Sequence, residues 1–238
     1  MRYPCAQPQQ RHEAGLMTAT KFTPALGHEA LTPVYDFAIR LLTRERRWRQ
    51  LLVEQISPHA AESILDVGCG TGTLAIAIKQ AVPGAKVVGL DPDPKILERA
   101  QRKARASGVD IEWRLGFARD AADFAGEFDK AISSLVFHQV ACGEKRAGLA
   151  AMWTSLRDEG ELHIADYCRQ QDWLMRQLFR VVQTLDGRAN TQANLDGAIE
   201  DFLSELGGCE IAPERIVNTP TGAISILKLR KSKGLAPA

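Results

Sequence analysis

The chain has 238 residues, of which 45% are hydrophobic, and its formal net charge is +1. This length exceeds a typical domain of about 150 residues but suits one α/β domain with insertions. The near-neutral charge gives no electrostatic reason to expect nucleic acid or an anionic membrane as a partner, so a small molecule is the expected one.

The cysteines and the apolar runs exclude further classes. The cysteines are odd in number and contain no C-x-x-C pair, so neither a disulfide framework nor a metal site is predicted; they are Cys5, Cys69, Cys142, Cys168 and Cys209. No apolar run approaches the ~20 residues of a membrane span, and the first residues lack the apolar core of a signal peptide. A cytoplasmic location is expected.

The N-terminal region divides into a tail and two predicted helices. Residues 1–20 have no apolar period, which predicts a mobile tail. Apolar residues recur at helical spacing in residues 32–42 and again in 48–56, before the first strand. The basic cluster between these runs is interpreted as a solvated face, with a carboxylate partner left open; it comprises Arg44, Arg46, Arg47 and Arg49. One domain is predicted over residues 21–231, followed by a short tail at 232–238.

The segment ILDVGCGTGTLAIAIK, residues 64–79, couples a buried strand to a glycine turn and a helix start. Apolar residues on either side of Asp66 are typical of a central parallel strand. Glycines at alternate positions allow positive φ and close approach of the backbone to a ligand; they are Gly68, Gly70 and Gly72. The pattern is G-x-G-x-G rather than G-x-G-x-x-G, and no Gly-Lys-Ser/Thr follows. Dinucleotide and Walker sites are therefore disfavoured.

This segment resembles motif I of the class I S-adenosylmethionine-dependent methyltransferases, and residues 87–100 resemble the second strand and helix that follow it. The resemblance implies S-adenosylmethionine as cofactor and S-adenosylhomocysteine as product, with Asp66 near the cationic methionine end. Asp91 lies 19 residues after Gly72, where a carboxylate can accept hydrogen bonds from both ribose hydroxyls. A helix cap before Pro92 is the alternative for Asp91. The expected contacts of this region are Gly68, Cys69, Gly70, Gly72, Asp91 and Pro92.

Residues 32–42, TPVYDFAIRLL, resemble the start of ubiquinone and menaquinone methyltransferases and their small-molecule relatives. In that group this segment folds over the cofactor. The resemblance implies that Tyr35 lines the cofactor and substrate site. An ordinary half-buried tyrosine is the alternative.

A third strand is predicted at Ile111–Leu115. Family members commonly have an acidic residue where this chain has Phe117, and that carboxylate accepts from the adenine amino group. Here the backbone of Ala118 is expected to read the base edge, while Phe117 supplies an apolar surface to the ring. Asp120 and Asp123 are alternative acceptors.

Residues 128–140, FDKAISSLVFHQV, resemble the fourth strand and its exit in the same superfamily. Ligands of open parallel sheets bind beyond the carboxyl ends of the strands, where strand order reverses. Ser133 and Ser134 are therefore expected to contact the cofactor. His138 is expected to contact the substrate, either as a general base or as a residue that packs on the cofactor.

A helix at Glu144–Leu156 and a fifth strand at Gly160–Tyr167 are predicted next. Asp166 and Tyr167 lie at the strand's carboxyl end. Asp166 is a candidate base, hydrogen-bond acceptor or helix cap, and Tyr167 is a candidate substrate contact. His163 is interpreted as structural.

The remaining segments predict two helices and a hairpin. Residues 173–185 form a broad apolar helical face in which Trp173 is expected to contribute a wall to the substrate pocket, and residues 195–206 form the second helix. Apolar runs at 211–217 and 223–229 predict a terminal hairpin. The expected fold is α/β: a Rossmann-like, seven-stranded, mostly parallel sheet with helices on both faces and an antiparallel C-terminal hairpin.

The expected function is methyl transfer to a small-molecule acceptor by in-line displacement, in a monomer or homodimer. The chain lacks the N/D-P-P-Y/F motif of amino-methylating DNA enzymes. Two alternatives remain open, a non-catalytic module that binds the cofactor and transfer of an aminopropyl group. The acceptor atom, whether O, N, S or C, also stays open.

Overall fold

The computed structural model describes residues 44–233. The predicted tail, the first predicted helix and Tyr35 therefore lie outside the described residues, as do residues 234–238.

One sheet of seven strands, in the order β3-β2-β1-β4-β5-β7-β6, forms the centre of the molecule. Strands β1 to β5 run parallel, and β7 pairs antiparallel with both β5 and β6. This arrangement confirms the expected fold. The strands are β1 (Ser63–Val67), β2 (Lys86–Asp91), β3 (Glu112–Leu115), β4 (Phe128–Ser134), β5 (Leu156–Tyr167), β6 (Arg215–Thr219) and β7 (Gly222–Arg230).

Helices cover both faces of the sheet. Residues of α1, α2 and α5 pack on one face, and residues of α4 and α7 pack on the other. The helices are α1 (Glu45–Ile56), α2 (Thr73–Ala81), α3 (Pro94–Ala106), α4 (Cys142–Ser155), α5 (Trp173–Asp186), α6 (Arg188–Asp196) and α7 (Ala198–Gly207). Short 3-10 turns occupy Ala118–Phe124 and Phe137–Gln139.

Alternation along β1 decides which side chains meet which helices. Leu65 and Val67 pack in the core beneath α4 and α7, whereas Ile64 packs with α1 and α2. Because successive side chains of a strand point to opposite faces, Asp66 lies on the same face as Ile64. The sequence therefore directs one carboxylate toward α1 and α2.

The strand order reverses at β1, which has β2 on one side and β4 on the other. The loops after β1 and β4 consequently diverge and leave a crevice beyond Val67 and Ser134. The glycine turn after β1 and the residues after β4 therefore lie at this crevice.

Several boundaries differ from those predicted, and the following differences are the largest. Strand β6 begins at Arg215 rather than Ile211, because Pro213 has no N–H to contribute to the ladder. The helix predicted over 195–206 is two helices, since Gly197, at φ +104°, separates α6 from α7. Strand β5 begins at Leu156, directly after α4, rather than at Gly160.

Among residues 44–233, every helix is too short or too polar to cross a lipid bilayer.

Gly72→Ala should destabilise the fold, because Gly72 has φ +72° and an added Cβ would lie 2.4 Å from Cη2 of Trp113. We expect a loss of about 1 to 3 kcal/mol in the free energy of unfolding. Gly143→Ala is the matched control, since Gly143 lies in α4 with no atom within 4 Å of an added Cβ. Chemical denaturation of both variants measures the difference, and equal stabilities would contradict this view of the turn.

Candidate cofactor and active site

The glycine turn after β1 is fastened to the end of β2. The N–H groups of Gly68 and Cys69 both donate to the carbonyl oxygen of Leu90, at 2.8 and 3.1 Å. The N–H of Gly70 donates to Oδ2 of Asp91 at 2.9 Å. These bonds fix the turn at the carboxyl edge of the sheet.

The three glycines have positive φ but different surroundings. A Cβ at Gly68 would lie 2.3 Å from Cγ2 of Val136, and one at Gly72 would meet Trp113. At Gly70, with φ +55°, nothing lies within 4 Å of the missing Cβ. Side chains thus pack against the turn at Gly68 and Gly72, whereas the space beside Gly70 is open. This opening suits close approach of a ligand to the backbone.

Asp66 is a buried carboxylate with an unsatisfied oxygen. Asp66 is 1% exposed, and its Oδ2 has no hydrogen-bond partner within the described residues. The pKa of Asp66 is raised to about 7, chiefly by burial and also by the nearby Asp91, although Arg49 and the N–H of Ala75 oppose the rise. A buried acceptor without a donor is rare, and here a cationic donor from a ligand would satisfy it.

Arg49 departs from the expectation of a solvated face. Its guanidinium pairs with Glu45 at 2.5 Å and lies close enough to Asp66 to lower the pKa of that carboxyl. Of the basic cluster, Arg49 is thus half-buried beside Glu45 rather than solvated.

Asp91 lies at the carboxyl end of β2 and is 8% exposed. Its two oxygens accept from the N–H groups of Gly70 and Asp93. Burial raises the pKa of Asp91, and these two N–H groups oppose that rise. The cap of α3 is Asp93, which accepts from Lys95 and Ile96, so Asp91 is not needed as a helix cap. Pro92, half-buried, connects the two acids.

Cys69 contributes its backbone rather than its thiol to the turn. The thiol is buried against Gly89, where an added Cβ would lie 3.0 Å from Sγ. Burial raises the pKa of the thiol, as do Asp66 and Asp91. A thiol kept protonated in this way is a poor nucleophile.

Phe117 and Ala118 follow β3 at the crevice edge. The N–H of Phe117 donates to Oδ2 of Asp120 at 2.8 Å, and the guanidinium carbon of Arg119 lies 4.5 Å from the centroid of the Phe117 ring. Asp120 therefore stabilises the turn, while Asp123 is exposed. Both Phe117 and Ala118 are half-buried, which leaves part of each available to a ligand.

The two serines of β4 differ in what they contact. The Ser133 hydroxyl donates to the carbonyl oxygen of Val67 at 2.8 Å and the residue is 1% exposed, so this side chain joins β4 to β1 instead of facing the crevice as expected. Ser134, at the strand's end, is half-buried. Of the two, Ser134 is better placed to meet a ligand.

Asp166 is the centre of a hydrogen-bond network. Its Oδ2 accepts from the N–H groups of Val136 and Phe137, at 3.0 and 2.7 Å. Its Oδ1 accepts from the N–H of Tyr167 at 2.7 Å and lies 2.7 Å from Nδ1 of His138. Of the roles open to Asp166, this geometry favours the acceptor over the base or the helix cap.

The two ring nitrogens of His138 contact different groups. Because a carboxylate only accepts, Nδ1 carries the proton toward Asp166, and in the neutral ring Nε2 is then an acceptor. Nε2 lies 3.5 Å from Oδ2 of Asp186 and 3.3 Å from Nε2 of Gln139. Burial raises the pKa of Asp186, while His138 lowers it. Asp186, at the end of α5, carries no sequence signal that pointed to this site.

Tyr167 and Trp173 lie where a substrate contact is not favoured. The Tyr167 hydroxyl is 2.6 Å from Oγ1 of Thr221, burial raises its pKa to about 12, and its ring packs edge-on against His138 at 5.1 Å. Tyr167 thus supports His138. Trp173 is 73% exposed at the first turn of α5, and its contribution to a substrate pocket stays a prediction.

No cluster of His, Cys, Asp or Glu within residues 44–233 has the composition to hold a metal ion.

Residues 64–160 match the family described as methyltransferase domain. These residues include the glycine turn and Asp91, and they are similar to methyltransferase domains. The match agrees with the family predicted from the glycine turn.

The chain is similar to named methyltransferases. It is 34% identical over 139 residues to a demethylmenaquinone methyltransferase of Thermus thermophilus, covering 58% of this chain and 62% of the relative. It is 30% identical over 154 residues to a protein of the same name from Deinococcus radiodurans, covering 64% of this chain and 63% of the relative. The chain thus spans less than two thirds of the length of these relatives.

Solved structures share the fold of this chain. Magnesium protoporphyrin IX methyltransferase from Synechocystis, solved with bound S-adenosylhomocysteine, has a TM-score of 0.62 at 23% identity, covering 87% of this chain and 91% of that one. An O-methyltransferase family protein from Burkholderia thailandensis has a TM-score of 0.66 at 16% identity, covering 84% and 59%.

Asp66→Asn should stabilise the protein above neutral pH. The folded-state pKa of about 7 lies above the ordinary 3.8, so the stability contributed by Asp66 falls as pH rises between these values. Asn has nearly the same shape and no charge, so we expect a gain of roughly 1 to 3 kcal/mol near pH 8 that disappears near pH 4.

Denaturant unfolding at several pH values measures this gain. Asp129→Asn is the control, since Asp129 pairs with Arg157 and accepts from the N–H of Ser63, and it should lose stability. A destabilised Asp66→Asn at pH near 8 would show that Asp66 has a partner that the structure does not reveal.

Proposed function

We propose that this protein transfers the methyl group of S-adenosylmethionine to a small-molecule acceptor. The observation that carries the proposal is the buried, unpaired Oδ2 of Asp66 beside a glycine turn that is open at Gly70. The match of residues 64–160 to the methyltransferase domain family supports it.

The residues around the crevice fit the two ends of this cofactor. The cationic amino end would satisfy Asp66, whose pKa is raised chiefly by burial. Each oxygen of Asp91 holds one N–H and has a second lone pair for a ribose hydroxyl. Phe117 and the backbone of Ala118 would contact the adenine.

When bound, S-adenosylmethionine supplies an electrophilic methyl carbon on a sulfonium leaving group. The contribution of the protein is then to align the acceptor behind that carbon and to exclude water. Alignment of two reactants can lower a barrier by about 7 to 11 kcal/mol. The rigid glycine turn and the turn after β4 are the parts of this chain that fix such an alignment.

His138 is the group we propose for proton removal when the acceptor is a hydroxyl. Nδ1–H is held by Asp166, which leaves the Nε2 lone pair to take the proton. Asp186, 3.5 Å from Nε2, would stabilise the imidazolium that results. A positioned base of this kind contributes about 10² to 10⁴ in rate.

The relatives guide the choice of acceptors. Two of them are named demethylmenaquinone methyltransferases. We therefore propose quinol-like and phenolic small molecules as the first acceptor class to test. We also propose a cytoplasmic monomer or homodimer.

Calorimetry with S-adenosylhomocysteine between about pH 5.5 and 7.5 tests the cofactor proposal. The ammonium group of S-adenosylhomocysteine prefers ionised Asp66, so affinity should fall by up to about tenfold for each pH unit below 7. Asp66→Asn should bind weakly, with little dependence on pH. Absence of binding by the wild type, or an unchanged slope in Asp66→Asn, would contradict the proposal.

A labelled-methyl screen over phenols, quinols, amines and thiols tests turnover. With a hydroxyl acceptor, His138→Ala should lower kcat by about 10² to 10⁴, and alkaline pH should restore part of the loss as the acceptor ionises by itself. Gln139→Ala is the control, because it removes the neighbour of Nε2 and keeps the imidazole. Cofactor binding without transfer to any acceptor would favour a non-catalytic module.

A further inference from the structure

We propose that Lys145 and Asp166 are positioning residues for the cofactor, because they hold the turn after β4 against the glycine turn. This inference rests on the proposed function for its ligand. Its structural part, a mechanical link from α4 to the glycine turn, stands on contacts within the described residues.

The turn after β4 is held from two sides by buried opposite charges. Asp166 accepts the N–H groups of Val136 and Phe137. The Lys145 ammonium donates to the carbonyl oxygens of Phe137 and Val140. Lys145 is fully buried and Asp166 is 1% exposed. Hydrogen bonds to charged groups in such a medium are strong, so this pair fixes the backbone at Phe137 in position.

The backbone of this turn includes an unfavourable conformation at Leu135. Leu135 has φ +55°, a left-handed conformation that is uncommon for residues with a Cβ. Its N–H donates to the carbonyl oxygen of Ala165 at 2.9 Å. The bonds from β5 and α4 together keep Leu135 in this conformation, as expected of strain retained at a functional site.

Val136 transmits this position to the glycine turn. Its side chain fills the space where a Cβ of Gly68 would lie, 2.3 Å from Cγ2. Gly68 in turn begins the turn that is fastened to Leu90 and Asp91. Contacts therefore run without interruption from Lys145 through Val136 to the backbone beside Asp66.

The buried charge of Lys145 argues for a role beyond packing. Burial lowers its pKa to about 8, and Asp166 opposes this shift, so the ammonium is kept in the interior at a cost in stability. An apolar side chain would fill the same volume without that cost. What it would lack is the pair of hydrogen bonds to the turn.

Lys130 supplies a matched control. It is also a buried lysine, and its ammonium donates to Glu62 and to the carbonyl oxygen of Ser57. It lies near the start of β4, whereas the turn follows the end of that strand. Lys130→Met should therefore lower stability without altering the glycine turn.

Amide hydrogen exchange of the full chain, combined with S-adenosylhomocysteine calorimetry, tests the proposal. In Lys145→Met the amides of Gly68, Cys69 and Gly70 should exchange at least about tenfold faster relative to those of β7, and affinity should fall at least about fivefold. Lys130→Met should keep wild-type values of both. Val136→Ala, which leaves both charges in place, should show the same changes to a smaller extent.

Two results would overturn the proposal. One is wild-type exchange at the glycine turn in Lys145→Met, or in Val136→Ala if Lys145→Met does not fold. The other is an equal acceleration in Lys130→Met, which would reduce the effect to general stability. If the wild type does not bind S-adenosylhomocysteine, the proposed function fails, and the exchange rates still decide whether the link exists.

Discussion

The burial of Asp66 without a partner for Oδ2 is the constraint on which the rest of the site depends. A carboxylate in this position costs stability, and the raised pKa is the expression of that cost. Alternation along β1 places it on the face covered by α1 and α2, and the reversal of strand order at β1 leaves a crevice beyond it. The glycine turn then admits a ligand to the same place. Each of these features is explained by a cation that binds there.

A second buried carboxylate, Asp166, contrasts with the first because its oxygens are fully used. It organises the turn after β4 and orients His138 through Nδ1. The two acids illustrate how environment divides similar groups into different roles. The unpaired one is suited to a ligand and the saturated one to fixing backbone. Tyr167, packed against His138 and bonded to Thr221, extends this fixed region toward β7.

Much of the fold and of the cofactor region could be predicted from the sequence because the relevant signals are local. The strand, glycine turn and helix at residues 64–79 are contiguous, and Asp91 follows at a fixed distance. Asp186 and Lys145 could not be predicted, since each reaches the turn after β4 only through helix packing. The sequence predicts Ser133 in the crevice, but its place in the strand directs the hydroxyl to the carbonyl oxygen of Val67. The break at Gly197 was likewise hidden by the apolar period that continues across it.

A crystal structure of the protein with S-adenosylhomocysteine would test the central claim most directly. The account predicts the amino nitrogen of the ligand within about 3.2 Å of Oδ2 of Asp66, the distance of a charge-assisted hydrogen bond. A ligand that occupies another part of the molecule, or lies over the glycine turn and leaves Oδ2 unpaired, would contradict it.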